Sequence, residues 1–218
     1  DLMFGLPGQS ISDAQRDLDI ALTYEPSHLS LYQLTIEANT AFMHRPPENL
    51  PDQDMQADMQ DLLAAKAADA GLERYEVSAY ATTGMQCRHN VNYWEFGDYL
   101  GIGAGAHSKV TDQAGVVRFS RPRLPKQYMA NAGTMEAYIS ERKLNQGDLV
   151  LEYMINALRL RSGFTLEQFS LHTGLDKDVL SSGIDEAVKK GLLVQNNDTI
   201  CATDEGFGFL SDIQLMFS

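Results

Sequence analysis

The sequence predicts an α/β protein in which a sheet flanked by helices is followed by a small, mainly helical module. Three observations carry that expectation. Strand-like apolar runs alternate with helical apolar periods up to about Ala106. The texture then turns basic and proline-containing between Thr111 and Gln127. Beyond it, three helical patterns precede two short strand-like pieces, as in a winged helix.

Asp1-Leu2-Met3-Phe4-Gly5-Leu6-Pro7-Gly8 reads as a strand running into a Gly/Pro turn, as expected of a chain entered within a sheet. Ser12 and Gln15 form a capping-box pattern. Ala14, Leu18, Ala21 and Leu22 then recur at helical spacing until Pro26. His28 to Thr35, rich in Leu, Tyr and Thr, is a second strand with both faces covered. A polar stretch from Glu37 to Pro51 leads into a helix from about Asp52 to Ala70, which Gly71 stops. Arg74 to Ala81 alternates as a third strand, with Glu76 and Ser78 on one face. Tyr99 to Ala106 is a short, glycine-rich, strand-like run. Strands separated by helices imply parallel crossovers.

Thr111 to Gln127 carries Arg118, Arg121, Arg123 and Lys126 against the single acid Asp112, an excursion away from the sheet. Helical patterns follow at Asp148–Leu160, Thr165–Thr173 and Lys177–Lys190, then strand-like Leu192–Gln195 and Thr199–Ala202 around Asn196, Asn197 and Asp198. The expected division is a first domain over 1–140, with 110–140 as its excursion, and a second over 141–218.

The formal charge of −13 sets the average surface against phosphate backbones and anionic lipid headgroups. From Gln146 onward five basic residues face eleven acidic ones, so the winged-helix pattern lacks the electrostatic footprint for DNA, and no nucleic-acid partner is expected. Cys87 and Cys201 stand far apart and form neither a disulfide framework nor a CxxC motif, which points to free thiols in a reducing cytoplasm. No apolar run is long enough for a membrane span, and the N-terminus has no signal-peptide pattern.

Two local patterns could carry chemistry. His89-Asn90-Val91-Asn92-Tyr93-Trp94 holds the only Trp beside an imidazole, an amide and a phenol. An imidazole ligates heme iron and flat rings stack on a porphyrin, whereas the structural alternative is a loop bonded to its own backbone with Tyr and Trp as packing. Gly101-Ile102-Gly103-Ala104-Gly105-Ala106-His107 lacks the third glycine of a dinucleotide loop. Its small residues admit either a flat ligand or a neighbouring strand. Asp1 and the Gly5–Gln9 turn mark the carboxyl end of a strand, where α/β sheets keep their chemistry. The basic stretch from Arg118 suits carboxylates such as porphyrin propionates, or else docks on an acidic protein.

In order along the chain, DLMFGLPGQS, HLSLYQLTIEANT, YEVSAYA, HNVNYW, LGIGAGAHS and ALRLRSG with KKGLLV resemble the oxygen-independent coproporphyrinogen oxidase-like family of the radical-SAM superfamily. The HNxxYW pattern is similar to that of its HemW branch of heme chaperones. The resemblance implies the C-terminal part of an open (β/α) barrel followed by a winged-helix-like domain. It also implies S-adenosylmethionine and a [4Fe-4S] cluster held by a CxxxCxxC loop, which this sequence does not contain. By that resemblance Asp1 contacts S-adenosylmethionine, and Tyr32, Thr35, Asn92 and Ala106 line the substrate side of the cofactor pocket. His89, Tyr93 and Trp94 become the heme candidates. Two functions are implied: a chaperone that binds heme and hands it to heme-accepting proteins, or an oxidase decarboxylating coproporphyrinogen III. The chain without a cluster loop is expected to be inactive as a catalyst.

Overall fold

The computed structural model describes residues 1–217, which form two compact units, Asp1–Cys87 and the described chain from Arg88 onward. In the first, β1 (Leu2–Phe4) leads through the Gly5–Gln9 turn into α1 (Ile11–Leu22). The helix begins two residues earlier than the Ser12/Gln15 pattern suggests. Ser10 is the cap, its hydroxyl accepting from the Asp13 amide while the Asp13 carboxylate accepts from the Ser10 amide at 3.0 Å. A short side chain with an acid three residues on satisfies two otherwise orphaned amides, and here the acid is Asp rather than the Glu or Gln of the usual pattern.

β2 (His28–Gln33) lies parallel to β1, Leu2 opposite Leu31 and Phe4 opposite Gln33. A short α2 (Ala41–His44) precedes α3 (Gln53–Asp69), whose cap Asp52 accepts from the Met55 amide at 2.8 Å. Met59, Leu63 and Ala67 of α3 pack with Leu18 of α1 and Phe4, Leu29 and Leu31 of the strands, so both helices shield one sheet. The expectation of parallel crossovers fails after α3. The segment Arg74–Ala81 is not one strand but β3 (Glu73–Arg74) and β4 (Ala79–Ala81), both antiparallel to their neighbours in the order β1-β2-β4-β3. A tight turn makes that reversal. Arg74 Nε donates to the Val77 carbonyl at 3.2 Å, and the Ser78 amide donates to the buried Glu76 carboxylate at 3.0 Å. Glu76 and Ser78 therefore hold a hairpin turn instead of sharing a strand face. The four strands form an open sheet.

The second unit begins with α4 (Arg88–Trp94), so the HNVNYW segment is helical where a loop was expected. Tyr99–Ala106 is not a strand. Gly103 and Gly105 take positive φ, which interrupts extended pairing, and only Tyr99 bridges to Lys109. The expected excursion is instead a sheet: β5 (His107–Asp112) and β6 (Gly115–Ser120) form a hairpin, α5 (Pro125–Asn131) follows, and β7 (Ser140–Lys143) returns to β6.

The remaining elements match the winged-helix expectation. They are α6 (Gln146–Ala157), β8 (Phe164–Thr165), α7 (Leu166–Thr173), α8 (Ser181–Lys189), β9 (Leu193–Asn196) and β10 (Thr199–Ala202), with the three strands ordered β8-β10-β9. Two helices the patterns did not reveal, α9 (Asp204–Gly208) and α10 (Leu210–Leu215), close the described chain. Tyr153 of α6 sits at the centre, with Phe96, Phe164 and Phe169 edge-on at 5.5, 5.3 and 5.1 Å. Phe96 and Val116 belong to this same core. The division into compact units thus falls at 87/88 and not at the 140/141 division drawn from texture, because apolar residues before 140 pack with those after it.

Candidate functional site

The second unit contains a cleft of about 540 Å³, within the range of about 300–1,000 Å³ typical of small-molecule sites. It joins the two patterns the sequence singled out. Tyr93 and Trp94 of α4 line it, as do Gly101, Ile102 and Ala106 of the glycine run.

The end of α4 is shaped by two local constraints. Phe96 adopts φ +62° with its ring buried, turning the chain sharply after the helix. Gly97 donates to the Asn92 carbonyl at 2.7 Å, and a Cβ there would lie 2.2 Å from the Asn92 side-chain oxygen. Asn92 Nδ2 donates to the Asp98 carbonyl at 3.1 Å. Asn92 thus braces the backbone and is not among the described residues lining the cleft. Tyr93 stands edge-on between His89 and Tyr99, each at 4.5 Å. The Arg159 guanidinium lies 4.2 Å over the Trp94 ring, whose buried indole N–H has no acceptor among the described residues. His89 is exposed and reaches the cleft only through Tyr93.

The glycine run is pinned along its length. The Gly101 amide donates to Ser108 Oγ at 2.9 Å, the Gly103 amide to the Tyr128 hydroxyl at 3.2 Å and the Gly105 amide to the Pro122 carbonyl at 2.8 Å, while Arg121 Nε donates to the Gly101 carbonyl at 2.9 Å. No helix starts at its end, so it presents no helix N-terminus to a phosphate.

The polar wall comes from the β5–β6 hairpin and α6. Arg118 donates through Nε to Glu152 at 2.8 Å and through Nη1 to the Tyr99 hydroxyl at 2.6 Å, and Arg142 reaches the same Glu152 at 2.7 Å. Arg118 therefore docks on the protein's own carboxylate. Lys109 is fully buried, bonded to the Phe96 carbonyl and Asp98 at 2.8 Å each and to Thr111 at 3.2 Å. Burial outweighs its pairing with Asp98 and pushes the ammonium below the usual lysine range. For the more exposed Asp98, burial is outweighed by hydrogen bonds from Lys109 and Thr111, which hold its carboxyl below the usual range. Both groups thus shift downward, the lysine through burial and the carboxyl through the hydrogen bonds it accepts. Tyr99, His107, Arg118 and Asn156 also line an adjoining cleft of about 480 Å³.

Asp1, Tyr32 and Thr35 lie on the first unit, all exposed. Asp1 precedes β1, so it sits at the opposite end of that strand from the Gly5–Gln9 turn, roughly 13 Å away at about 3.3 Å per residue. Thr35 follows β2 at the turn's end, where the Leu34 amide donates to the Phe4 carbonyl at 2.9 Å, and Tyr32 pairs with Met3 in mid-strand. Asp1 and Thr35 thus do not share a strand end. Sequence reasoning singles out Arg118 for carboxylates but misses the parts of His107 and Lys109 in the cleft; the alternation of β5 from His107 was the available signal. Cys87 and Cys201 fall in different units, and no group of three metal-ligating side chains occurs among the described residues. A [4Fe-4S] cluster has no ligand set among them.

Residues 144–209 match the family described as HemN C-terminal domain. Over its whole length the chain is 42% identical to the heme chaperone HemW of Escherichia coli and 40% identical to that of Haemophilus influenzae, spanning 56% of each. It is 30% identical to the Bacillus subtilis heme chaperone HemW over 94% of this chain and 55% of that protein. The fold matches the Escherichia coli coproporphyrinogen III oxidase HemN, described as a radical SAM enzyme, with a TM-score of 0.76 at 18% identity, covering all of this chain and 54% of the other.

Proposed function

The chain belongs to the HemW branch of the coproporphyrinogen III oxidase-like family, and from that premise we propose that it forms the heme-holding part of a heme chaperone that delivers its cargo to recipient proteins. The observation that carries the proposal is the cleft that brings Tyr93 and Trp94 against the small residues of the glycine run. A flat tetrapyrrole can stack on an aromatic wall, and on the other side Gly101 and Ala106 leave room beside the apolar side chains of Leu100 and Ile102. His89 contributes by bracing Tyr93.

S-adenosylmethionine and a [4Fe-4S] cluster belong to the proposal for the whole protein, of which this chain spans little more than half the length of its relatives. Asp1 is the proposed S-adenosylmethionine contact, with Tyr32 and Thr35 as further pocket positions. A cytoplasmic setting fits the free thiols, and no helix among the described residues is long and apolar enough to cross a membrane. The oxidase reading rests on a likeness at 18% identity, which carries the fold alone.

Titration of the chain with hemin, followed by absorbance, tests the proposal. A saturable Soret band is expected. Tyr93→Ala and Trp94→Ala should each weaken binding about fivefold to tenfold, since a stacked ring contributes roughly 1 kcal/mol. Hemin binding no tighter than to an unrelated acidic protein of the same size refutes it.

A further inference from the structure

The cleft contains one imidazole among the described residues that line it, and that imidazole is His107 rather than His89. His107 opens β5, opposite Ser120, and Lys109 stands opposite Arg118. Side chains two apart on a strand and directly opposite across a ladder share a face, so His107 lies on the face that carries Lys109 and Arg118. That face meets Phe96 and α6, because Lys109 Nζ lies 4.2 Å over the Phe96 ring and Arg118 pairs with Glu152.

The other strong ligands on this wall are committed. Lys109 is buried in its three hydrogen bonds, the Tyr99 hydroxyl accepts from Arg118, and Arg118 is ion-paired. His107 is exposed, and its ring holds no hydrogen bond to a described residue. The backbone beneath it is fixed. A Cβ on Gly101 would lie 2.1 Å from the His107 carbonyl oxygen, and the neighbouring Ser108 hydroxyl accepts from Gly101. An imidazole on a rigid strand, open to a cleft and free of local partners, is arranged for a metal ligand.

We propose that His107 is the axial ligand of the heme iron in this cleft, and that His89 positions Tyr93 without touching the metal. The inference rests on the heme-binding reading above and adds the iron's ligand to it. One ring nitrogen of neutral His107 would supply the lone pair that holds the iron, the other nitrogen keeping its proton.

The test compares the wild-type chain, His107→Gly and His89→Ala, each titrated with hemin and with metal-free protoporphyrin IX, with a thermal melt to verify folding. His107→Gly is expected to lose the imidazole-ligated spectrum and to bind hemin about tenfold more weakly. Its affinity for protoporphyrin IX should not change, and added imidazole should restore the wild-type spectrum. His89→Ala is expected to keep that spectrum. An unchanged spectrum in His107→Gly with its loss in His89→Ala overturns the inference while leaving heme binding intact. Equal loss of hemin and protoporphyrin IX in His107→Gly, without imidazole rescue, makes His107 a structural residue and also overturns it. If the wild-type chain binds neither tetrapyrrole, the heme reading itself fails and this inference with it.

Discussion

Gly101 shows how a single residue sets the cleft. An added Cβ would meet the His107 carbonyl oxygen at 2.1 Å, and backbone, unlike a side-chain tip, cannot swing aside. Gly101→Ala is therefore expected to push the glycine run off β5, lowering stability by roughly 1–3 kcal/mol. A urea midpoint unchanged from wild type contradicts this. Titrating side chains act at the same scale. His28 of β2 and His172 of α7 are both held below the ordinary value of 6.5, first of all by burial. Glu76 raises His28 and Glu95 and Asp98 raise His172, but neither set offsets burial. The folded chain thus binds fewer protons than the unfolded chain just below that value, so stability rises with pH there. Stability is full above about 6.5 and is lost as pH falls through the folded values. The melting temperature should drop between roughly pH 7.5 and 5.5, and replacing both histidines by Gln should flatten that drop. Tyr93 and Trp94 were legible because rare, ring-bearing types stand together in the sequence. The part of His107 was not, since its neighbours Lys109 and Arg118 are brought to it by strand pairing, which a one-dimensional pattern does not carry.

Helix starts show what an element leaves in its sequence and what it hides. Two capping patterns compete at the start of α1, Ser12 with Gln15 and Ser10 with Asp13, and the structure uses the second. Ser10→Ala should cost about 1 kcal/mol by orphaning an amide, whereas Ser12→Ala should stay within about 0.5 kcal/mol. Equal effects of the two in thermal unfolding would show that the helix starts elsewhere. The long helices were readable because their apolar stripes and stops are local: α3 between Asp52 and Gly71, α6 before Leu158. The β3–β4 hairpin was not, because Tyr75, Val77 and Ala79 alternate as they would in one strand. The reversal is made by Arg74 and Glu76 bonding to turn backbone. The basic excursion likewise hid a hairpin, its Arg118 being the partner of Glu152 on α6.

At the scale of the whole molecule, composition and core disagree about where the chain divides, and the core decides what can fold alone. Texture changes near residue 140, but a cut there runs through β7, whose Ser140 to Lys143 pair with Ser120 to Val117 of β6. The cut also removes Phe96 and Val116 from the cluster built around Tyr153 and Met154. Losing a buried aromatic ring alone costs about 3–5 kcal/mol, a large part of the roughly 5–15 kcal/mol by which a domain is stable. A piece spanning 88–218 keeps that core and both of its sheets, and should unfold in one cooperative transition with structured near-ultraviolet circular dichroism. A piece spanning 141–218 should melt broadly and lose the near-ultraviolet signal, while retaining much of its helix. Equally sharp transitions for the two pieces, at the same temperature, would mean that Phe96 and Val116 only cover a core already complete without them.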